Sequence, residues 1–374
     1  MKYYIIAGEA SGDLHASNLM KELNQLDKDA DFRAWGGELM QAQGAVLVKH
    51  YRDLAFMGFT EVVMNLRTIL RNIENCKKDI LEHRPDVLIL VDYPGFNLRI
   101  AEFAKENSIK VFYYISPQVW AWKQSRVYKI KRTVDRMFVI LPFEKEFYRK
   151  FDYPVDFVGH PLLDAIAEKQ TAFASKAEFL NENNLSNLPI IALLPGSRKQ
   201  EIETMLPLML SVQDNFPGYQ FVIAGAPSQP ENFYNRILDR NKNKVIHNKT
   251  YELLFHSAAA LVTSGTATLE TALLKVPEVV CYKGGKISYY IARSLVKIKF
   301  ISLVNLIMDK EVVKELIQQE LNNKQITAEL KKILNPLHKE HLMKQYAELS
   351  RILGGPGASL HTAKLMMNYL RGEV

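Results

Sequence analysis

The residues best suited to chemistry lie in two short loops, Leu193-Leu194-Pro195-Gly196-Ser197-Arg198 and Thr263-Ser264-Gly265-Thr266-Ala267-Thr268-Leu269-Glu270. Each follows an apolar run, 190–194 or 258–262, and each opens into a helical pattern. Small residues at such a turn expose backbone N–H groups at a helix N-terminus, where the macrodipole also favours an anion. Arg198 adds a planar fork that matches phosphate oxygens. Glu270, one turn into the second helix, is placed to accept hydrogen bonds from two neighbouring ribose hydroxyls. One loop alone reads as an ordinary tight α/β turn. The pair, with Arg198 and Glu270, points to a nucleotide sugar whose diphosphate is held by Gly196, Ser197 and Arg198 on one side and Ser264, Gly265 and Thr266 on the other.

A third turn of this kind, Ala7-Gly8-Glu9-Ala10-Ser11-Gly12-Asp13, follows the first apolar run. Gly8 and Gly12 permit tight geometry and close approach of a ligand. Glu9, Ser11 and Asp13 offer side chains, and Asp13 reads equally as a catalytic acid or as a cap of the helix that follows. Asp92 ends the run 87–91 within Asp92-Tyr93-Pro94-Gly95-Phe96-Asn97. A carboxylate there serves as a general base if burial brings its pKa toward the working pH. Asp92 and Asp13 lead as candidate bases, with Glu9 and Glu61 behind them. Ser116 to Lys123 carries Trp120 and Trp122 after another run. It is either a packed aromatic loop or a wall of a sugar or acyl pocket, with Lys123, Arg126 and Lys129 near a phosphate. His160, between Gly159 and Pro161, reads as a backbone device. His338 and His341 lack an acidic partner pattern, so no metal and no cofactor are expected.

These loops need strands and helices to hold them. Apolar runs at 3–6, 87–91, 111–115 and 137–141 read as buried parallel strands, and 14–26, 98–107 and 124–133 as helices between them. The alternation restarts after 155–161, with strands at 190–194, 221–224, 244–246, 260–263 and 279–282. The fold class is therefore α/β, two Rossmann-like doubly wound domains facing a cleft, with ligands beyond the carboxyl ends of the strands. The expected boundaries are 1–160, 161–340 and a helical tail, 341–374, that returns to the first domain or crosses to a partner subunit.

The chain has 374 residues, enough for two domains, and 48% hydrophobic with 24% charged residues describes a globular protein. No run reaches the ~20 apolar residues of a spanning helix, and the N-terminus reads as a core strand rather than a signal peptide. Two cysteines far apart, Cys76 and Cys281, fit no metal or redox spacing and suit a reducing cytoplasm. The net charge of +7 implies an anionic partner. Nucleic acid ranks last, because the basic residues are scattered among acids and no recognition module is present.

In their order along the chain these motifs resemble those of the lipid-A-disaccharide synthases, glycosyltransferases of the two-Rossmann-domain (GT-B) type. The pieces that carry the resemblance are 7–13, 116–123, Gly159-His160-Pro161-Leu162, the two phosphate loops and Ser302-Leu303-Val304-Asn305-Leu306. The resemblance implies transfer of 2,3-diacylglucosamine from UDP to the 6-hydroxyl of 2,3-diacylglucosamine 1-phosphate, giving a β-1′,6 disaccharide and UDP. It implies that Ser11, Gly12, Trp120 and Lys123 line the acceptor side and that Asn305 lies on the donor side, where a helix cap is the plainer reading. Acyl substrates turn the apolar stretch with Phe56, Met57, Phe59, Val62, Val63 and Leu66, followed by Arg67 and Arg71, toward an inner-membrane surface. The implied location is cytoplasmic, peripheral to that membrane, with a homodimer possible. One departure stands out: many members carry a second acid where this chain has Gly95. The alternatives are another UDP-sugar enzyme of this fold, acting on a polyprenyl-linked acceptor or as a 2-epimerase, and a non-catalytic lipid- or nucleotide-binding protein.

Overall fold

The computed structural model describes residues 1–54, 66–121, 123–238, 243–284 and 299–373. The chain divides into two compact units, Met1–Ala165 with Leu353–Val374, and Ile166–Ile352.

The first unit is a seven-stranded sheet in the order β3-β2-β1-β4-β5-β6-β7. Its strands are β1 Lys2–Ala7, β2 Asp31–Gly36, β3 Val46–His50, β4 Val87–Val91, β5 Lys110–Tyr114, β6 Arg136–Val139 and β7 Asp156–Phe157. All neighbours are parallel, with Ile6 beside Trp35 on one side and Leu90 on the other. Helices α1 Ala10–Leu26, α2 Glu38–Ala42, α3 Leu66–His83, α4 Pro94–Glu106, α5 Arg126–Thr133, α6 Pro142–Arg149 and α7 Leu162–Gln170 make the connections. Central β4 is apolar at every position because helices cover both faces: Val87 to Val91 are all fully buried. On α3, Ile73, Cys76 and Ile80 repeat at helical spacing and sink into the same core.

The second unit is a six-stranded parallel sheet in the order β10-β9-β8-β11-β12-β13. Its strands are β8 Ile190–Leu194, β9 Gln220–Gly225, β10 Lys244–His247, β11 Ser257–Thr263, β12 Glu278–Tyr282 and β13 Lys314–Ile317. The helices are α8 Lys176–Glu182, α9 Lys199–Leu210, α10 Glu231–Tyr234, α11 Thr250–Phe255, α12 Thr266–Leu273, α13 Leu303–Met308, α14 Asn323–Leu334 and α15 Pro336–Ile352. The last helix, α16 Ala358–Arg371, belongs to the first unit. There Tyr3 donates its hydroxyl to the sulfur of Met367, and Tyr369 donates to Asp156 at 3.0 Å.

Both sheets are doubly wound and parallel, as the alternation of runs predicts. The tail differs from the expected 341–374. Residues 341–352 continue a helix whose Leu342, Tyr346 and Leu349 are buried in the second unit, so only the residues after Ile352 return. The return is pinned by Asp164, whose carboxylate accepts from the amides of Gly357 and, at 2.8 Å, Ser359 at the start of α16. Gly159 holds a positive φ of +86° in this stretch, and a Cβ there would come within 3.3 Å of the Leu353 carbonyl oxygen.

Candidate functional site

In the second unit the two expected phosphate loops end β8 and β11, neighbours in the sheet, and so open side by side. Gly196, Ser197, Ser264, Gly265, Thr266 and Glu270 all line one recess of about 250 Å³, together with Gly225 and Thr250. Gly196 sits at φ +107°, a conformation that favours glycine. Thr268 fastens the second loop by donating its hydroxyl to the Gly265 carbonyl at 2.8 Å. Ser264 donates to the Ile301 carbonyl at 2.9 Å. The first amides of α12 have no partners within the helix and face the end where an anion is favoured.

Glu270 is held in the recess by Tyr251, whose hydroxyl donates to Oε1 at 3.1 Å. Burial raises the Glu270 pKa, while Tyr251 and the charge of Lys169 oppose that shift. Arg198 is exposed at the entry to α9 and is not among the residues lining the recess. The loop already carries a carboxylate of its own: Glu201 folds back so that Oε2 accepts from the Ser197 amide at 3.0 Å.

In the first unit Asp92 and Tyr93 both sit in the left-handed region, with φ of +44° and +49°. Such conformations persist where the surroundings enforce them. Here Asn97 donates Nδ2 to the Asp92 carbonyl at 2.7 Å and to the Val91 carbonyl at 3.3 Å. The Tyr113 hydroxyl donates to the same Asp92 oxygen, and the Tyr93 ring lies so close over Gly8 that a Cβ there would come within 2.3 Å of it. The turn presents the Asp92 side chain to a recess of about 180 Å³ that Pro94, Pro117, Gln118, Val119 and Arg126 also line. Burial and the negative charge of Glu9 push the Asp92 carboxyl up to about 6. Behind it, burial lifts the Glu144 carboxyl to about 8, and the charge of Asp92 adds to that rise.

A sequence profile of the lipid-A-disaccharide synthetases matches residues 3–359. The chain belongs to that family. The lipid-A-disaccharide synthase of Syntrophus aciditrophicus is 40% identical over 98% of this chain and 97% of that protein. The corresponding enzyme of Geobacter metallireducens is 38% identical, covering 98% and 96%. Among solved structures, UDP-GlcNAc 2-epimerase from Neisseria meningitidis bound to UDP-GlcNAc superposes with a TM-score of 0.69 at 14% identity, over 100% of both chains. The calicheamicin glycosyltransferase CalG4 gives 0.61 at 12%, over 100% of this chain and 99% of its own. At such identities those two likenesses speak to the fold alone.

Against this synthetase family the remaining candidates sort by geometry. Asp13 caps a neighbouring helix rather than its own. Its Oδ1 accepts from the amides of Gly37 at 2.7 Å and Met40 at 3.2 Å, and Oδ2 from Leu39 at 3.1 Å, around the start of α2. A carboxylate with three amide donors is a holder of that loop, and of the two leading candidates Asp92 is the one that lines an open recess. Asn305 is fully buried. Its Oδ1 accepts from the Val312 and Val313 amides at 2.8 and 3.0 Å, and Nδ2 donates to the Val313 carbonyl and Glu315 at 2.8 and 2.9 Å. That amide is consumed in fixing the turn after α13, and Ser302 is the cap.

Ser11 and Gly12 lie in the first turn of α1, where Gly12 packs against Ala7 of β1. Trp120 packs edge-on against Phe143 with centroids 5.0 Å apart, and its buried indole N–H has no hydrogen-bond partner among the described residues. Lys123 is exposed. Phe56, Met57, Phe59, Val62, Val63, Glu61 and Trp122 lie outside the described residues, and Leu66 opens α3. Among the described residues no helix is long and apolar enough to cross a membrane, and no three His, Cys, Asp or Glu side chains gather as a metal site.

Four residues that serve these recesses were not singled out by the sequence. Asn97 and Tyr113 shape the Asp92 turn, Glu201 occupies the first phosphate loop, and Tyr251 tethers Glu270. Asn97 alone had a clue, being the polar residue that ends the Asp92 motif.

Proposed function

We propose that this synthetase transfers 2,3-diacylglucosamine from UDP to the 6-hydroxyl of 2,3-diacylglucosamine 1-phosphate in a single inverting displacement. Asp92 removes the proton from that hydroxyl. The oxygen attacks the anomeric carbon from the face opposite the phosphate, the bond to the diphosphate oxygen breaks, and UDP leaves with the electron pair. The product is the β-1′,6 disaccharide. The observation that carries this reading is Asp92 itself: an acid lining an open recess, with its pKa lifted to about 6 by burial and Glu9. A base poised near the working pH is both deprotonated and strong enough to assist.

Charge develops on the departing diphosphate. The Gly196 and Ser197 loop, the first amides of α12 and the Arg198 guanidinium answer it in place of a cation, and Glu270 receives the ribose hydroxyls. Asp13 and Glu9 position and tune the acceptor side. Ser11, Gly12, Trp120 and Lys123 line the acceptor or acyl pocket, and the apolar Phe56, Met57, Phe59, Val62, Val63 and Leu66 supply contact with the cytoplasmic face of the inner membrane.

The test is release of UDP from UDP-2,3-diacylglucosamine with 2,3-diacylglucosamine 1-phosphate as acceptor, in the presence of EDTA. Turnover with a β-linked product supports the proposal. Binding of UDP without turnover would shift it to a different acceptor or to a binding protein.

A further inference from the structure

Lys169, Tyr251 and Glu270, all in the second unit, form a chain of side chains that ends in the recess between the two phosphate loops. Lys169, in the last turn of α7, sets its ammonium nitrogen 4.6 Å from the centre of the Tyr251 ring. Tyr251 follows Thr250, which lines the recess at the start of α11, and donates its hydroxyl to Glu270 Oε1 at 3.1 Å. Of the three, Glu270 is the residue that lines the recess, one turn into α12.

An ionised carboxylate offers acceptor sites on both oxygens and no donor. Tyr251 fills one of those sites, on Oε1, and leaves the remainder of that oxygen and Oε2 for a ligand. Two acceptor oxygens on one planar group match two hydroxyls on neighbouring carbons. A ribose carries that pair at its 2′ and 3′ positions, and a deoxyribose does not.

The match needs Glu270 charged and held in one orientation. A protonated carboxyl turns one oxygen into a donor, and burial pushes Glu270 in that direction. The Tyr251 hydroxyl and the charge of Lys169 oppose the push. An ammonium over an aromatic face is attracted to it, so Lys169 steadies the ring that carries the hydroxyl. The hydroxyl in turn fixes the carboxylate before a ligand arrives, which lowers the ordering cost of binding.

We propose that Lys169 and Tyr251 are positioning residues that make this recess selective for ribonucleotides over deoxyribonucleotides, by presenting Glu270 as an oriented double acceptor to the 2′- and 3′-hydroxyls. The selectivity rests on Glu270 receiving the ribose of the UDP-sugar, as proposed for the reaction.

Calorimetric titration of UDP and of 2′,3′-dideoxy-UDP into the full chain reads the selectivity as a ratio of affinities, without lipid substrates. Wild type favours UDP by about 10-fold or more, the scale of hydrogen bonds to a charged acceptor. Tyr251→Phe keeps the ring and removes the hydroxyl. It weakens UDP by about 3–10-fold and leaves the dideoxy analogue within about 2-fold, so the ratio falls. Lys169→Met, at an exposed position, lowers the ratio by about 2–5-fold. A Tyr251→Phe protein that loses both nucleotides equally makes the hydroxyl a structural brace and overturns the inference, as does one with the wild-type ratio. If Tyr251→Phe does not fold, an unchanged ratio in Lys169→Met overturns it instead. In each of these cases a selective wild type leaves Glu270 on the ribose. A wild type that binds both nucleotides alike takes Glu270 off the ribose and overturns the inference together with that role.

Discussion

Asn97 donates its side-chain N–H to the main-chain carbonyl of Asp92 at 2.7 Å, and through that bond it holds two consecutive residues in the left-handed region. Asn97 is fully buried, and its contact is to the Asp92 backbone, not to the carboxylate proposed as the base. Asn97→Leu leaves the carbonyl with the Tyr113 hydroxyl alone and relaxes the turn. The expected losses are about 1–3 kcal/mol of stability and roughly 10–100-fold in kcat, since misplacing a catalytic group by an ångström has that effect. Denaturant unfolding and steady-state UDP release, measured on the same preparation, read the two losses. A stable variant with wild-type kcat would show that the turn is held by other contacts.

Burial raises the pKa of Asp92, and the negative charge of Glu9 adds to that rise. The base works ionised, so kcat/KM rises with pH through about 6, the value to which the Asp92 carboxyl is pushed. Removing the neighbouring negative charge in Glu9→Gln favours ionisation of Asp92 and moves that acidic limb to lower pH, by about 0.5–1 unit. The pH–rate profile of the two proteins is the measurement, and an unmoved limb would separate Glu9 from the base.

Gly95 occupies the second position of α4, and a Cβ there would meet no atom of the described residues within 4 Å. The acid that the family resemblance expects at this position has room for its Cβ among the described residues. Gly95→Asp gains about 0.5–1 kcal/mol from reduced chain entropy and an anion at a helix N-terminus. It also adds a negative charge near Asp92, which raises that pKa, so the acidic limb moves up in pH. Thermal melting and the same pH–rate profile test both halves, and a destabilised protein would contradict the open space.

Glu201 holds an amide of the loop proposed to bind the diphosphate, accepting from Ser197 at 3.0 Å. Glu201→Gln keeps a carbonyl acceptor for that amide and removes the negative charge that competes with phosphate. UDP then binds about 3–10-fold more tightly, whereas Arg198→Ala weakens UDP by about 10–100-fold. Calorimetric titration of UDP into the three proteins decides, and weaker binding by Glu201→Gln would make Glu201 a structural brace of the loop.

His15 and His160 are both buried and uncharged in the first unit, and burial lowers their pKa values to about 4 and about 3. The unfolded chain binds protons at these residues below about pH 6.5 while the folded chain does not. Their contribution to stability is therefore complete above that pH and is lost as pH falls toward 4, by roughly 1–3 kcal/mol for each. His15 Nδ1 has no hydrogen-bond partner among the described residues, so His15→Leu flattens the acid limb of the unfolding free energy with little change at pH 8. Urea unfolding across pH 5–8 supplies the comparison, and an unchanged slope would assign the acid sensitivity elsewhere.

Apolar runs made most of the fold legible in the sequence. β4 and β8 read as unbroken apolar stretches, and β1, β5 and β12 do so after a charged first residue, Lys2, Lys110 or Glu278. β2, β3 and β13 did not, because charged residues interrupt them. Arg33 in β2 is offset by a partner that no local pattern shows: its guanidinium meets Asp79 of α3 at 2.8 Å, and Asp79 also receives the Tyr4 hydroxyl at 2.7 Å. The glycine turns that line the recesses were legible, since small residues after a strand have few other uses. Partners made by tertiary contact were not. Asp13, which read equally as a catalytic acid or a cap of its own helix, reaches across to α2, and Asn305, which the family resemblance put on the donor side, turns inward to Glu315. The break at 354–357 was visible, but the core that keeps residues 341–352 with the second unit was not.

The assignment of Asp92 as the base is tested most directly by Asp92→Asn, which keeps size and hydrogen bonding and removes the basic site. UDP release with both lipid substrates and UDP binding are measured side by side from pH 5 to 9. The account predicts a fall in kcat of roughly 10²–10⁴-fold, loss of the acidic limb near 6 in what activity remains, and UDP affinity within about 2-fold of wild type. Turnover near wild type with the same limb would contradict it and move the base to another residue.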